Sequence, residues 1–546
     1  MGTSRVRKPS SLARIYPISE RRKRRGMNHG EFQEIAEMMA SHYDSLIIGA
    51  GHNGLVAAAY LARAGRRVLV LERREIVGGA AVSEAVWPGW TVSSASYVCS
   101  LLHPRIIADL DLRARGYDAY RKEPASFTPL LDGRSLLLGS DEATNTHEIT
   151  AFNPHDVAGY EAFDAEATSL GSQLADIFDE NDEDAMRLDD ATLATLHESA
   201  ATLVERHVRT PVLQATLATD GLIGTYAGPR DAGTAYVLAH HYAGRALGRQ
   251  GAWGYVRGGM GAISRAIADA ALANGAEIVT STHVARILVR DGGVYGVALE
   301  DGREYTAAAV LSNADPVTTF KTLVDSHDLP EEITGKLARW QCEGAALKLN
   351  LALGELPNFT ARPGTTVQPH HRATIHVAPS IAYLQTAHDD ARTFGASSEP
   401  MLECFMQTPT DPALAPPGKH LLSIFAQYYP YDRADGAWTA AKRNAAADAI
   451  IALLARYAPN IADAVEARQL LAPPDLEARF GLYKGHIFHG ELLPGQILGE
   501  RFHTRTPLRN LYLCGSGAAP GGCVSGIPGM RAARAVLATI EADKVV

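Results

Sequence analysis

Residues 43–79 read YDSLIIGAGHNGLVAAAYLARAGRRVLVLERREIVGG, and the order of residue types in this stretch decides the fold. Leu46, Ile47 and Ile48 form a short apolar run, as a strand buried on both faces requires. Gly49-Ala50-Gly51-His52-Asn53-Gly54 is a G-x-G-x-x-G turn, and the helix-like segment Leu55 to Ala64 that follows is stopped by Gly65. A second apolar run, Val68 to Leu71, ends in Glu72. The sum is a βαβ unit with an acid at its far end. Gly49 permits the tight turn, Gly51 lets backbone approach a pyrophosphate, and Gly54 lets the helix pack on the strand. The helix N-terminus offers free N–H groups and a positive dipole end to the phosphates. Glu72 stands where an acid accepts hydrogen bonds from the adenosine ribose hydroxyls. A lone G-x-G-x-x-G is weak, and its alternative is an ordinary strand–helix turn. With a strand before it, a helix after it and an acid about 20 residues on, it is specific.

Composition narrows the class. The chain has 546 residues, enough for three or four units at about 150 residues each. Its 46% hydrophobic and 21% charged residues are those of a globular protein with a large core. A formal charge of −9 argues against a general nucleic-acid binder. No apolar run is long enough to span a bilayer as a helix, and no secretory h-region follows the basic N-terminus. The five cysteines, Cys99, Cys342, Cys404, Cys514 and Cys523, include no C-x-x-C, which suggests a reducing compartment and neither a redox dithiol nor a zinc knuckle. Residues 1–27 are rich in Arg and Ser with Glu20 as their sole acid. They read as a disordered tail or as residues upstream of a true start at Met27, or else as a mitochondrial presequence. The expected location is therefore the cytoplasm, with room for peripheral contact at a membrane, or the mitochondrial matrix in the second case. Glu31 to Ala40 is expected to form a short amphipathic helix.

Further along, Trp87-Pro88-Gly89-Trp90 marks a turn between extended pieces, and Ile106 to Leu112 reads as a helix. From Tyr117 to Ile149 short apolar runs alternate around Asp132-Gly133, a hairpin signal. Val157 to Arg209 has long helical periodicity, and its acidic run Asp179 to Asp184 reads as a solvated loop. His240-His241 suggests a metal pair only superficially, because adjacent helical residues do not share a face. Tyr255 to Gly261 is a glycine turn leading to a helix, Ala262 to Asn274, and then to several strands closing at Ala309 to Pro316. Ala345 to Leu353 and His420 to Tyr429 read as strands, and Ala437 to Tyr457 as a long helix. Asn510 to Gly517 is a strand entering a glycine turn, followed by Gly521-Gly522, Gly526, Gly529 and an Ala-rich helix, Met530 to Ile540. This second glycine-dense unit implies another close approach to a cofactor.

After residue 42 the chain resembles the phytoene desaturase-like FAD-dependent oxidoreductases. The stretches that carry the resemblance are YDSLIIGAGHNGLVAAAYLARAG, VLERREIVGGAAVSE, ASYVCSLLHPRI, GYVRGGMGAISRAIA, VLSNADP, GHIFHGEL and NLYLCGSGAAPGG. The resemblance implies an α/β fold with a discontinuous Rossmann-like FAD-binding domain, residues 43–115, 251–320 and 491–546. An inserted α+β substrate domain, 116–250 and 321–490, would follow, with 1–42 as a basic tail. It implies FAD contacts from Gly49, Gly51, Gly54, Glu72 and Arg73 to diphosphate and ribose, and from Gly78 and Gly79 as a second glycine pair. Val284 would meet adenine through its backbone, and Gly515, Gly517, Gly526 and Ile527 would surround the ribityl chain and flavin ring. Two positions depart from the pattern: Ala519 stands where a His or Thr is usual, and Cys523 where a glycine is.

The implied chemistry is hydride removal from a substrate C–H to the flavin, which need not require a strong side-chain base. Neither G-x-S-x-G nor H-E-x-x-H is present. The candidate site side chains are His489, within GHIFHGEL, together with Cys523 and Arg257. Each has a plain alternative: ordinary hydrogen bonding for His489, a small buried residue for Cys523, a solvated cation for Arg257. No metal is expected. No second G-x-G-x-x-G unit is present, so oxygen or a quinone is expected as electron acceptor rather than NAD(P)H. The substrate is expected to be a small apolar, isoprenoid or polyene-like molecule. A flavin amine oxidase, a redox-neutral polyene isomerase and a non-catalytic flavin-bound regulator stay open.

Overall fold

In the computed structural model, residues 42–180 and 185–542 are described. The basic stretch 1–27, the expected helix Glu31 to Ala40 and residues 181–184 of the acidic run lie outside them.

The opening stretch folds as β1 (His42–Ile48), α1 (His52–Arg63) and β2 (Val68–Leu71). β1 and β2 pair in parallel, Leu46 opposite Leu69 and Ile48 opposite Leu71. α1 begins at His52, inside the glycine turn rather than after it, because Gly51 already serves as the N-cap. Leu55, Val56, Ala58 and Leu61 are fully buried, since α1 packs against helices Gly261–Ala273 and Ile527–Ala542 as well as the sheet. Burial of each large aliphatic contributes about 1.5–3 kcal/mol. The last helix approaches closely because Gly529 lacks a Cβ, which would lie 2.0 Å from the Asn53 carbonyl.

Two seven-stranded sheets order the rest. In the first, strands run Val284–Arg290, Gly293–Leu299, Glu304–Ser312, β1, β2 and Glu277–Val279, with Leu511–Leu513 pairing to Glu304–Ser312 in parallel. The second runs Val465–Leu471, Ala346–Leu353, His420–Gln427, Met401–Phe405, Thr374–Val377, Ser126–Pro129 and Ser135–Leu138. It is antiparallel except where Thr374–Val377 meets Ser126–Pro129. Its two faces differ. Leu347, Leu349, Ile424, Leu402 and Ile375 point into an apolar core with Ile450 and Leu454 of helix Ala440–Ala455. The alternate residues Lys348, Asn350, Ser423, Glu403 and His376 are also buried, but polar.

Helical periodicity over 157–209 resolves into three helices, Asp156–Phe178, Asp190–Leu196 and Ala200–Glu205. Asp189 and Ser199 restart the chain as N-caps, accepting from the N–H groups of Thr192 at 2.9 Å and Thr202 at 3.0 Å. Asp141 does the same for Glu142–Thr150, so the hairpin Ser126–Leu138 is followed by a helix where alternating strands were expected. Among the described residues no helix is long and apolar enough to cross a membrane.

Candidate active site

The glycine turn is built by contacts that only glycine admits. Gly49 has φ +91°, and a Cβ on Gly54 would lie 2.3 Å from the Gly49 carbonyl. A Cβ on Gly51 would meet Asn313 Nδ2 at 2.6 Å, so the Asn313 amide fills the space that this glycine leaves. The Ala50 N–H donates to Glu72 Oε2 at 2.7 Å, and the Arg74 N–H donates to Oε1 at 2.8 Å. Glu72 therefore clamps the turn to the end of β2. The Gly78 N–H donates to the Ala50 carbonyl at 2.8 Å, which lays the second glycine pair along the first turn. No side chain caps α1, so its first N–H groups face the turn without side-chain partners.

This turn opens on a cavity of about 1850 Å³, part of it open to solvent. It is lined by Glu72, Arg73, Thr282 and Val284, by Gly49, Gly51, Gly79, His52 and His489, and by Tyr97, Trp253, Lys348, Phe425 and Cys523. Of the sequence-derived positions, Gly49, Gly51, Glu72, Arg73, Gly79, Val284, His489 and Cys523 thus line one space. Gly54, Gly78, Gly515, Gly517, Gly526 and Ile527 do not; they bring neighbouring segments together beneath it. A Cβ on Gly517 would lie 2.2 Å from Pro316, one on Gly515 2.6 Å from the Asn313 carbonyl, and one on Gly526 2.6 Å from Ile106. Arg257 is not part of that lining: its side chain is 54% exposed, pairs with Asp118 at 2.9 Å and stacks on Tyr120.

The cavity-lining His52, His489 and Cys523 are neutral. Burial pushes His489 down to about 3, with the Arg501 cation adding to it, and pushes His52 down to about 4. His489 Nδ1 and His52 Nε2 are both buried without a hydrogen-bond partner. His489 sits at φ +59° and outside any helix, so it and His486 do not share the helical face a metal pair would need. Burial raises the Cys523 thiol to about 12, so it is a thiol and not a thiolate. His241 is engaged at Nδ1 by the carbonyls of Asp220 and Val237, at 2.7 and 2.9 Å. Among the described residues the one metal-capable cluster, Asp325, His327 and Asp328, is mostly exposed and outside the cavity lining.

Sequence reading missed three residues. Lys348, in the cavity lining, is 3% exposed, and burial lowers its amine to about 7. A lysine inside the apolar strand ALKLNLAL was the available signal. Asn313 lies in the quoted VLSNADP stretch, but its contact with three glycines is visible only in three dimensions. Arg501 is fully buried and donates to the carbonyls of Phe488, Gly490, Glu491, Gln496 and Ser516 at 2.7–3.2 Å. It joins the segment carrying His489 to the C-terminal glycine turn.

A dinucleotide fits this donor set. The uncapped helix N-terminus and the glycines of the turn suit a pyrophosphate, and the Glu72 carboxylate and Val284 line the same cavity, as a nucleoside site requires. The unpartnered His52 and His489 nitrogens belong to residues of that lining, available to a polar ring system. Residues 54–537 match the flavin containing amine oxidoreductase family. The chain is 38% identical to the pyridine nucleotide-disulfide oxidoreductase domain-containing protein 2 of Mus musculus, over 91% of this chain and 94% of that one. It is 28% identical to a phytoene desaturase (lycopene-forming) of Pseudescherichia vulneris, covering 91% and 98%. The fold is shared with cyclohexylamine oxidase from Brevibacterium oxydans IH-35A, at a TM-score of 0.58, 18% identity and coverage of 91% and 99%. All five cysteines of this chain are free. With a glycine turn suited to a dinucleotide and a family match across most of its length, the chain belongs to the flavin-containing amine oxidoreductases and is an FAD-dependent oxidoreductase.

Proposed function

We propose that the protein is a dehydrogenase or desaturase that removes hydride from a C–H of a largely apolar substrate and passes the electrons to oxygen or a quinone. The observation that carries this reading is the continuity of the cavity. The nucleotide turn and the apolar side chains of Ile223, Trp253, Phe425, Ile487, Phe488 and Val524 line one and the same space. Such apolar walls bind and desolvate a hydrocarbon body. FAD, when bound, supplies the hydride acceptor.

In this reading Glu72, Arg73 and Val284 hold the adenosine end, the Gly49–Gly51 turn and the start of α1 hold the phosphates, and His52 and His489 give neutral hydrogen-bonding groups. The mixed sheet that contains β1 and β2, with its helices, forms the cofactor half, residues 43–115, 251–320 and 491–546. The antiparallel sheet and helices between 116–250 and 321–490 form the substrate half. Similarity to the Pseudescherichia phytoene desaturase supports the same substrate class. An amine substrate is disfavoured because, among the described residues, Glu72 of the nucleotide turn is the one carboxylate lining the cavity.

The test is anaerobic titration of the holoenzyme with polyenes, amines and NAD(P)H in turn, following the visible flavin band. Bleaching by polyenes supports the reading. Bleaching by amines alone replaces it with an amine oxidase, and stoichiometric NAD(P)H oxidation during turnover overturns the choice of acceptor.

A further inference from the structure

His240 and His241 are adjacent on helix Thr234–Tyr242, and their rings meet different surroundings. His240 directs Nε2 at the Gly522 carbonyl, 3.4 Å away, with the rings of Phe178 and Tyr236 beside it. It is packed into the core. His241 instead lines the cavity. Its ring centre lies 5.6 Å from that of Trp253 and 6.0 Å from that of Phe488, and both of these residues belong to the same lining.

The two nitrogens of the His241 ring are unlike. Nδ1 lies 2.7 Å from the Asp220 carbonyl and 2.9 Å from the Val237 carbonyl. A carbonyl oxygen can only accept, so Nδ1 carries the proton, and in the neutral ring Nε2 then carries a lone pair. Among the described residues no group donates to Nε2, and the protein does not enclose it. A charged ring would need an acceptor at Nε2 as well, and none of the described residues offers one. The Asp220 carboxyl works in the same direction: burial holds it above the usual carboxylate range, despite the attraction a charged His241 would exert. Two main-chain oxygens thus fix the ring from behind, and it cannot turn Nε2 away without giving up both. The outcome is one rigid hydrogen-bond acceptor set in a wall of aromatic side chains.

We propose that the substrate carries a hydroxyl on its apolar body and that His241 Nε2 accepts the hydrogen bond of that hydroxyl. This rests on the dehydrogenase reading above and names the polar group of its substrate. His241 is then a specificity-determining residue. A body of the same size without a donor leaves Nε2 desolvated and unpartnered, which is how a site rejects an analogue that lacks one hydroxyl. A neutral acceptor gives an ammonium no counter-charge, so the same geometry favours a hydroxyl over an amine.

The experiment is equilibrium binding of octanol, heptyl methyl ether and octylamine to the oxidised holoenzyme, read by titration calorimetry and repeated on His241→Asn and His241→Gln. Octanol and the ether are isomers, and only octanol has an O–H to donate. Donors in the lining, such as the Tyr97 hydroxyl, serve both oxygens alike and do not separate them. Octanol is expected to bind about threefold to tenfold more tightly than the ether, with octylamine no tighter than octanol. The Asn amide can donate where Nδ1 did but puts nothing at Nε2, so His241→Asn should lose the octanol preference and bind the ether as before. The Gln amide reaches the Nε2 position, so His241→Gln should keep part of the preference. A residue that only holds the Asp220 and Val237 carbonyls predicts the opposite order of the two variants, and that order overturns the assignment. Equal binding of octanol and ether by the wild type, or tighter binding of octylamine than of octanol, also overturns it. Should the variants fail to retain FAD, the wild-type ranking of the three probes decides. None of the probes need reduce the flavin. Absence of the octanol preference with polyenes still bleaching the flavin band sinks this proposal alone, whereas failure of polyenes to bleach sinks the dehydrogenase reading.

Discussion

The Glu72 carboxylate accepts a hydrogen bond from the Ala50 N–H at 2.7 Å, across 22 residues of sequence. An acid assigned to a ribose by its spacing also fixes the backbone of the glycine turn. The two oxygens together carry more lone pairs than the Ala50 and Arg74 N–H groups use, so both roles are compatible.

Glu72→Gln therefore acts on cofactor affinity and on turn geometry together. Hydrogen bonds to a charged group contribute about 1.5–3 kcal/mol, so FAD should bind tenfold to a hundredfold more weakly. Titration of apoprotein with FAD by flavin fluorescence measures this. An unchanged dissociation constant would remove Glu72 from the site.

The two inner glycines of the turn should differ in their response to Ala. In Gly54→Ala the new methyl would stand 2.3 Å from the backbone oxygen of Gly49, which cannot move without opening the turn. Loss of FAD and of soluble protein is expected. In Gly51→Ala the obstacle is the end of the Asn313 side chain, at 2.6 Å, which can swing aside. Its defect should be milder and should be relieved by adding Asn313→Ala. Flavin-to-protein ratios of the three variants settle the order.

Arg501 should behave as a positioning residue. Removing its guanidinium leaves several buried carbonyls without donors, at a cost of about 1–3 kcal/mol for each that water cannot reach. Arg501→Met should lower thermal stability and release FAD. Arg501→Lys, which cannot span the same set of oxygens, should recover only part of both. Thermal melting followed by flavin fluorescence provides the readout, and a wild-type melting curve for Arg501→Met would refute the role.

Buried neutral histidines make the fold acid-sensitive in a defined window. His240 is 1% exposed, and burial first, then neighbouring His241, lowers it to about 3. Below about pH 6.5 the unfolded chain takes up a proton at this position that the folded chain does not. Its contribution to stability is therefore full above about 6.5 and falls as pH drops toward 3, by at most about 1.4 kcal/mol per pH unit. His240→Gln should flatten the fall in melting temperature between pH 6.5 and 4 relative to the wild type.

What the sequence disclosed was local. β1, α1 and β2 announce themselves because strand, glycine turn, helix and acid all fall within 37 residues and each has its own chemical signature. The glycines of the C-terminal unit were visible as well, but not which of them face the cavity. Gly517 and Gly526 are glycine because Pro316 and Ile106 crowd them, and those contacts join distant segments. Arg257 was drawn in by its place beside a glycine turn, yet Asp118, 139 positions earlier, holds it at the surface. Lys348 was passed over for the opposite reason. A charge in an otherwise apolar strand becomes meaningful only when the neighbouring strands show that alternate residues form the floor of a cavity.

That alternation divides the duties of each strand. On the same strands, Leu347, Leu349 and Ile424 pack into the core while Lys348, Asn350 and Ser423 turn the other way. One face keeps the sheet folded, and on the other Lys348 forms part of the cavity wall. A change at position 348 therefore reshapes the wall without taking a side chain out of the apolar core behind it.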